Sequence, residues 1–334
     1  MTSVDRGRLA QAVALRVRYW MAGVRQRLRP TSVDDLARLV EPNLRWHSKH
    51  TGELWRPSKW WGYDKGDRAP RMSLIDKVEA LRLPNASGAG SKAEFTHILW
   101  ETIQNPYPTP QTCRRWMECL DPDVQAVVKG APVLAAGRKF SYGIPKLRPS
   151  DYERLRHHPG LHTLALLTFI VQQAHRFGHS TLANEAGARL VSALWQCSLR
   201  LEDRELLRPT MAFFESWVMP MTQQGATRLS IGDDIAARAN LLSRLVRELG
   251  PNESRPIDES GLDIRIRSVV GGRRCIKLRW LFMAATVPVS GFALTPDEKR
   301  RCDWLPAALT MRLPSINDLG TLSSRANGSF DLKN

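Results

Sequence analysis

The chain has 334 residues, 43% of them hydrophobic, enough for two domains with a buried core, and this excludes disorder along its whole length. Its 49 lysines and arginines outweigh 33 aspartates and glutamates, a formal net charge of +16 that points to a polyanionic partner. The excess is concentrated early: residues 1–150 hold 25 basic and 14 acidic side chains, residues 151–334 hold 24 and 19. The longest apolar run, 161–171, is too short to span a bilayer and reads as a buried helix. The N-terminus carries Arg6, Arg8, Arg16 and Arg18 and lacks the clean apolar stretch of a signal peptide, so a soluble, cytoplasmic protein is expected. Five cysteines (Cys113, Cys119, Cys197, Cys275 and Cys302) are scattered without a C-x-x-C pair, which suits free thiols rather than disulfides or zinc.

Residues 4–28 predict a helix, with Val4, Leu9, Val13, Val17, Trp20, Met21, Val24 and Leu28 on one face and arginines opposite. Pro30 ends it. Thr31 or Ser32 then caps a second helix with Asp34 and Asp35 in its first turn, where the helix dipole favours negative charge. After the polar stretch 43–53, Pro57 suits a first helical position and Gly66 a left-handed C-terminal cap. Ser73 is expected to cap a fourth short helix running to Leu81, and residues 84–92 have a linker's composition. Short helices are expected at 94–103 and 111–119, and a Gly-, Pro- and base-rich boundary at 129–150. Long helices follow near 160–177, 181–202, 208–219 and 231–249. In 262–280 the period changes: Ile264 and Ile266 alternate with charged residues, Gly271-Gly272 supply a turn, and Ile276 and Leu278 alternate again, a β-hairpin pattern.

The order of the first four helices carries a resemblance. Arg27-Leu28, then Ser32 through Leu36-Ala37, then Tyr63-Asp64-Lys65-Gly66-Asp67-Arg68-Ala69-Pro70 and a closing helix with Leu74, Ile75, Val78 and Leu81 resemble the Cro/C1-type helix-turn-helix of phage and bacterial repressors. The likeness covers residues 16–83. This chain departs from the family in carrying about a dozen extra residues, around 43–55, between its second and third helices. The resemblance implies DNA binding, a role in transcription regulation, and a reader helix near residues 57–65. Such proteins often dimerise.

A groove-reading helix must be short, end cleanly and offer donors on its exposed side. Spacing turns Trp60 and Tyr63 toward a core and leaves Ser58, Lys59 and Trp61 outward. Arg56 stands at the helix start, and Lys65, Arg68 and Arg71 follow it as backbone grips. The candidate nucleic-acid-binding set is therefore Arg56, Ser58, Lys59, Trp61, Lys65, Arg68 and Arg71, with Lys59 foremost for a base edge. A secondary basic set lies on the hairpin: Arg265, Arg267, Arg273, Arg274, Lys277 and Arg279. An ordinary charged solvent side is the stronger reading of that hairpin.

The spacings His158/His162 and His175/His179 suit one metal ion, but no H-E-x-x-H accompanies them and glycine or proline interrupts both, so no metal is expected. No phosphate-binding loop, dinucleotide fingerprint or nucleophile elbow occurs, so neither a cofactor nor catalysis is expected. The expected fold is mainly α. It comprises a helix-turn-helix-like bundle over 1–83, a linker with short helices over 84–150, a helical domain with a β-hairpin near 262–280 over 151–319, and a flexible tail over 320–334. The expected function is binding of nucleic acid, duplex DNA ahead of RNA, in regulation or in a nucleoprotein assembly, with the C-terminal helices free to hold a second copy or a protein partner. The competing expectation is a scaffold component of a mobile-element or defence complex that binds RNA or an acidic protein.

Overall fold

The computed structural model describes residues 3–42, 58–81, 90–134, 143–232, 234–248, 266, 270 and 282–310. The fold is mainly helical with small antiparallel β elements. Among the described residues, no helix is long and apolar enough to cross a membrane.

Helix α1 (Ser3–Leu28) ends where Arg29 turns left-handed at φ 46° ahead of Pro30. Helix α2 (Val33–Val40) starts at Ser32, whose hydroxyl accepts from the Asp35 amide at 3.0 Å, while the Asp35 carboxylate accepts from the Thr31 amide at 2.9 Å. Helix α3 (Ser58–Lys65) closes through Gly66 at φ +82°. There the Asp67 amide reaches the Gly62 carbonyl at 2.8 Å and the Gly66 amide the Tyr63 carbonyl at 3.1 Å, the paired bonds of a Schellman ending. Helix α4 (Met72–Ala80) begins two residues earlier than a Ser73 cap would place it. Arg71 holds the cap position, directly after Pro70, and Ser73 lies inside the first turn.

Short helices follow: α5 (Ser91–Phe95), α6 (Ile98–Gln104), α7 (Pro110–Glu118) and α8 (Pro122–Lys129). Strands β1 (Val133–Leu134) and β2 (Ile144–Pro145) pair, and α9 (Pro149–Leu155) leads into α10 (Leu161–Arg176). Every residue of α10 from Thr163 to Ala174 is buried, as befits a helix apolar on all sides. It packs along α6 and α11 (Ser180–Gln196). Then come α12 (Ser198–Glu202), α13 (Leu207–Trp217), a 3-10 turn (Met219–Thr222), β3 (Thr227–Ser230) and α14 (Ile235–Glu248). Strand β4 (Ala285–Pro288) pairs antiparallel with β3, Thr227 opposite Pro288 and Ser230 opposite Ala285, and α15 (Pro296–Thr310) packs on β4.

Among the described residues, the antiparallel pair in the C-terminal part is β3–β4, which joins segments far apart in sequence. Of the segment 262–280, only Ile266 and Val270 are described. Both are helical and buried. Arg265, Arg267, Arg273, Arg274, Lys277 and Arg279 lie outside the described residues, as does the tail 320–334.

Two hydrophobic cores share α1. Its Ala12 and Leu15 join the larger core, formed by α6 to α14. Its Val17, Trp20, Met21 and Val24 join the smaller one, with Leu36, Val40, Trp60, Tyr63, Ile75 and Phe95. Each fully buried aliphatic such as Leu36 contributes roughly 1.5–3 kcal/mol relative to exposure. The N-terminal bundle therefore stands on a helix rooted in the rest of the protein. Polar ties reinforce the junction. The Arg204 guanidinium donates to the Tyr19 carbonyl at 3.2 Å and to Glu94 at 2.8 Å, while Arg27 reaches the same carboxylate at 2.8 Å.

Candidate nucleic-acid interface

Helix α3 is anchored by its aromatic residues. Trp60 and Tyr63 are buried against α1 and α2, edge to face at 5.6 Å, and Tyr63 meets Trp20 at 6.3 Å in the same manner. Burial of this pair fixes which sides of α3 remain open. At 100° per residue, Lys59 comes out beside Tyr63, whereas Trp61 and Lys65, four apart, share the opposite side.

The seven residues singled out in the sequence consequently do not form one surface. Arg56 and the Ser58 side chain lie outside the described residues. Lys59, Arg68 and Arg71 meet in a groove of about 530 Å3 that runs between α3 and α4. Trp61 and Lys65 face away from it. Trp61 is 38% exposed, and its indole donates to Asp34 of α2 at 3.1 Å.

Lys59 is not the free outward cation that helical spacing suggests. Glu41, the residue after α2, accepts from its ammonium at 2.6–2.8 Å and also takes the Trp60 indole N–H at 2.8 Å. The distance in sequence between Glu41 and α3 hides this pairing, since the inserted segment lies between them. Arg68 and Arg71 are exposed, and their side chains have no hydrogen bond or ion pair among the described residues. Gly62 explains how Arg68 reaches the groove. A Cβ at position 62 would stand 3.3 Å from Arg68 Cδ, so the glycine makes room for the arginine stem to fold back across the helix.

Lys77 of α4 completes the groove and was not among the sequence candidates. Its signal is there to be read: it follows Ser73 by four residues and Leu74 by three, at the edge of the buried face of α4, and lines the groove with both. The groove thus gathers four cations (Lys59, Arg68, Arg71 and Lys77) around one carboxylate, Glu41, already committed to Lys59 and Trp60. An array of that kind suits phosphate oxygens.

The histidines are placed differently from their sequence pairing. His158 approaches Asp123 at 3.5 Å, whereas His162 stacks at 4.2 Å on His97, a partner 65 positions away. Burial, then the neighbouring His162, pushes the His97 imidazole down to about 3, and burial lowers that of His162 as well. His97 Nδ1 accepts from the Leu99 amide at 3.1 Å and so caps α6. Among the described residues, no three His, Cys, Asp or Glu side chains converge as a metal site, and Cys113, Cys119, Cys197 and Cys302 form no disulfide. No protein-family model, curated protein or solved structure matches the chain.

Proposed function

We propose that this chain is a nucleic-acid-binding protein that grips the phosphates of duplex DNA in the groove between α3 and α4, and that its role is regulatory or architectural rather than catalytic. The observation carrying the reading is the convergence of Arg68, Arg71 and Lys77 beside Lys59, with one carboxylate, Glu41, among the described residues of the groove and that one already engaged. Cations left without ion pairs on a rigid scaffold attract a duplex, whose two strands together carry one negative charge about every 1.7 Å of axis. The helix order of α1 to α4, with α3 short and cleanly ended, supports a reader resembling the Cro/C1 type. The outer side of α3, with Trp61 and Lys65, is then available to the groove of the duplex, and Arg68, Arg71 and Lys77 to its backbone.

The test is fluorescence anisotropy of the full chain with a labelled duplex at two salt concentrations. Changing Arg68, Arg71 and Lys77 together to alanine is expected to weaken binding at least tenfold. It should also flatten the dependence of log K on log salt by about 0.9 for each phosphate that the protein no longer neutralises. Equal affinity and equal slope in the triple variant would exclude the groove as the interface.

A further inference from the structure

A large cavity among the described residues lies far in sequence from the groove, in the C-terminal part. It has a volume of about 1120 Å3 and is walled by the segment after β2, by α9 and α11, by the β3–β4 pair and by the start of α15. Among the described residues, six cations line it, Lys146, Arg148, Arg156, Arg189, Arg300 and Arg301, and one carboxylate, Glu185. Three of the six are already engaged. Arg148 donates to the Gly130 carbonyl at 3.0 Å, Arg156 pairs with Glu153 at 2.9 Å, and Arg300 pairs with Asp297. Lys146, Arg189 and Arg301 have no side-chain hydrogen bond or ion pair among the described residues. Arg189 lies over the Tyr152 ring, 5.5 Å from its centroid. Between the cations the lining is apolar: Leu147, Leu229, Val270 and Phe282 are buried side chains that reach the cavity.

A second feature marks the inner end. Tyr152, Arg156, Arg189 and Ser192 also line an adjoining space of about 30 Å3, room for one water or one ligand oxygen. The Tyr152 residue is 7% exposed, and its hydroxyl is buried without a hydrogen-bond partner. Gln196, on the same small space, likewise has an unpartnered amide nitrogen. Buried donors left unmet cost about 1–3 kcal/mol each, and a cavity that keeps two of them beside Arg189, which has no ion pair among the described residues, is suited to acceptor oxygens. Inorganic phosphate would fill only a fraction of the larger space, whose volume is at the upper end of ligand cavities. A ligand with an anionic end for the cations and a flat, apolar body for the Phe282 and Leu229 wall fits both parts.

We infer that this cavity binds a nucleoside polyphosphate, its phosphates toward Arg189, Arg301 and Lys146 and its base against the apolar wall. The site is separate from the α3–α4 groove and does not depend on the function proposed for it. The test is isothermal titration calorimetry of the full chain with ATP, GTP, CTP and UTP in turn, with pyrophosphate and with a single-stranded oligonucleotide. At least one nucleotide is expected to bind with a micromolar dissociation constant, and pyrophosphate at least tenfold more weakly. Changing Arg189 and Arg301 together to glutamine should weaken the nucleotide at least tenfold while leaving duplex DNA affinity within twofold. The groove variant of Arg68, Arg71 and Lys77 should do the reverse. Tyr152→Phe, which removes an unmet hydroxyl, should keep the melting temperature and still lower nucleotide affinity severalfold. No heat from any nucleotide up to millimolar concentration, binding by the oligonucleotide alone, or equal nucleotide affinity in the double glutamine variant would overturn the assignment.

Discussion

Glu41 and Trp60 are joined by a 2.8 Å hydrogen bond from indole to carboxylate, and the same carboxylate holds Lys59. One acidic side chain thus both seats α3 against the end of α2 and pairs with one of the four cations of the groove. Glu41→Gln keeps an oxygen for the indole and removes the charge. The expected result is duplex binding tightened a few-fold at low salt, with a steeper salt dependence as Lys59 becomes available to phosphate. Stability should fall by no more than about 1 kcal/mol, because a partly exposed ion pair contributes little. Anisotropy titrations and urea unfolding of the same variant separate the two effects. An affinity below that of the parent chain would mean that the Lys59 pair orders the interface rather than masking it.

Glu94 has the opposite character, since it is 8% exposed between Arg27 and Arg204, each 14% exposed and 2.8 Å away. Arg27 ends α1 and Arg204 follows α12, so the carboxylate ties the small core to the large one. Glu94→Ala removes the carboxylate that the half-buried Arg27 and Arg204 share, and since loss of one partner of a fully buried pair costs about 3–5 kcal/mol, the loss here is expected toward the lower end of that range. Urea denaturation should show a midpoint lowered accordingly. A loss below about 1 kcal/mol would show that water compensates the arginines.

The existence and order of α1 to α4 were legible because their signals are local. Apolar spacing marks α1, Ser32 marks the start of α2, and Gly66 marks the end of α3. The long helices α10, α11, α13 and α14 were legible for the same reason, each fully turned apolar pattern being bounded by proline, glycine or a cap. What stayed hidden depends on packing between segments distant in sequence. Glu41 meets Lys59 only after the chain has passed through an inserted segment, and His97 meets His162 only because α6 packs beside α10. The β3–β4 pair joins Thr227–Ser230 to Ala285–Pro288, and no turn motif announces a pairing so far apart in sequence. The apolar alternation around Ile264 to Leu278 is ambiguous over so short a run, and Ile266 and Val270 are helical.

Gly66 offers a direct test of how α3 is seated. Its φ is +82°, and a Cβ there would stand 2.9 Å from the Ala14 carbonyl oxygen of α1. Gly66→Ala therefore meets both a backbone conformation unfavourable by about 1–2 kcal/mol and a backbone atom that cannot move aside. Thermal unfolding should show at least ~1 kcal/mol of destabilisation. Gly291, at φ +87° with open space around it, is the control: alanine there meets the backbone penalty alone. Equal losses at both positions would mean that α1 and α3 do not approach closely at Ala14.

The buried His97 makes stability depend on pH in a defined window. Its folded value near 3 lies below the ordinary 6.5, so the unfolded chain binds a proton there more readily than the folded one. The contribution is whole above pH 6.5 and is lost as pH falls from 6.5 toward 3, with a slope of up to ~1.4 kcal/mol per pH unit once the unfolded histidine is protonated. His162, lowered by the same burial, acts with the same sign. Protonation would also cost the Leu99 amide its acceptor and uncap α6. The Glu298 carboxyl is held low by N–H and hydroxyl donors of Thr295, then by the Ala226 amide, so its own contribution fades only below its ordinary 4.5. His97→Asn retains a capping acceptor without the titrating ring. Urea midpoints measured from pH 7 to pH 4.5 should fall for the parent chain and fall distinctly less for the variant, and parallel curves would remove His97 as the source.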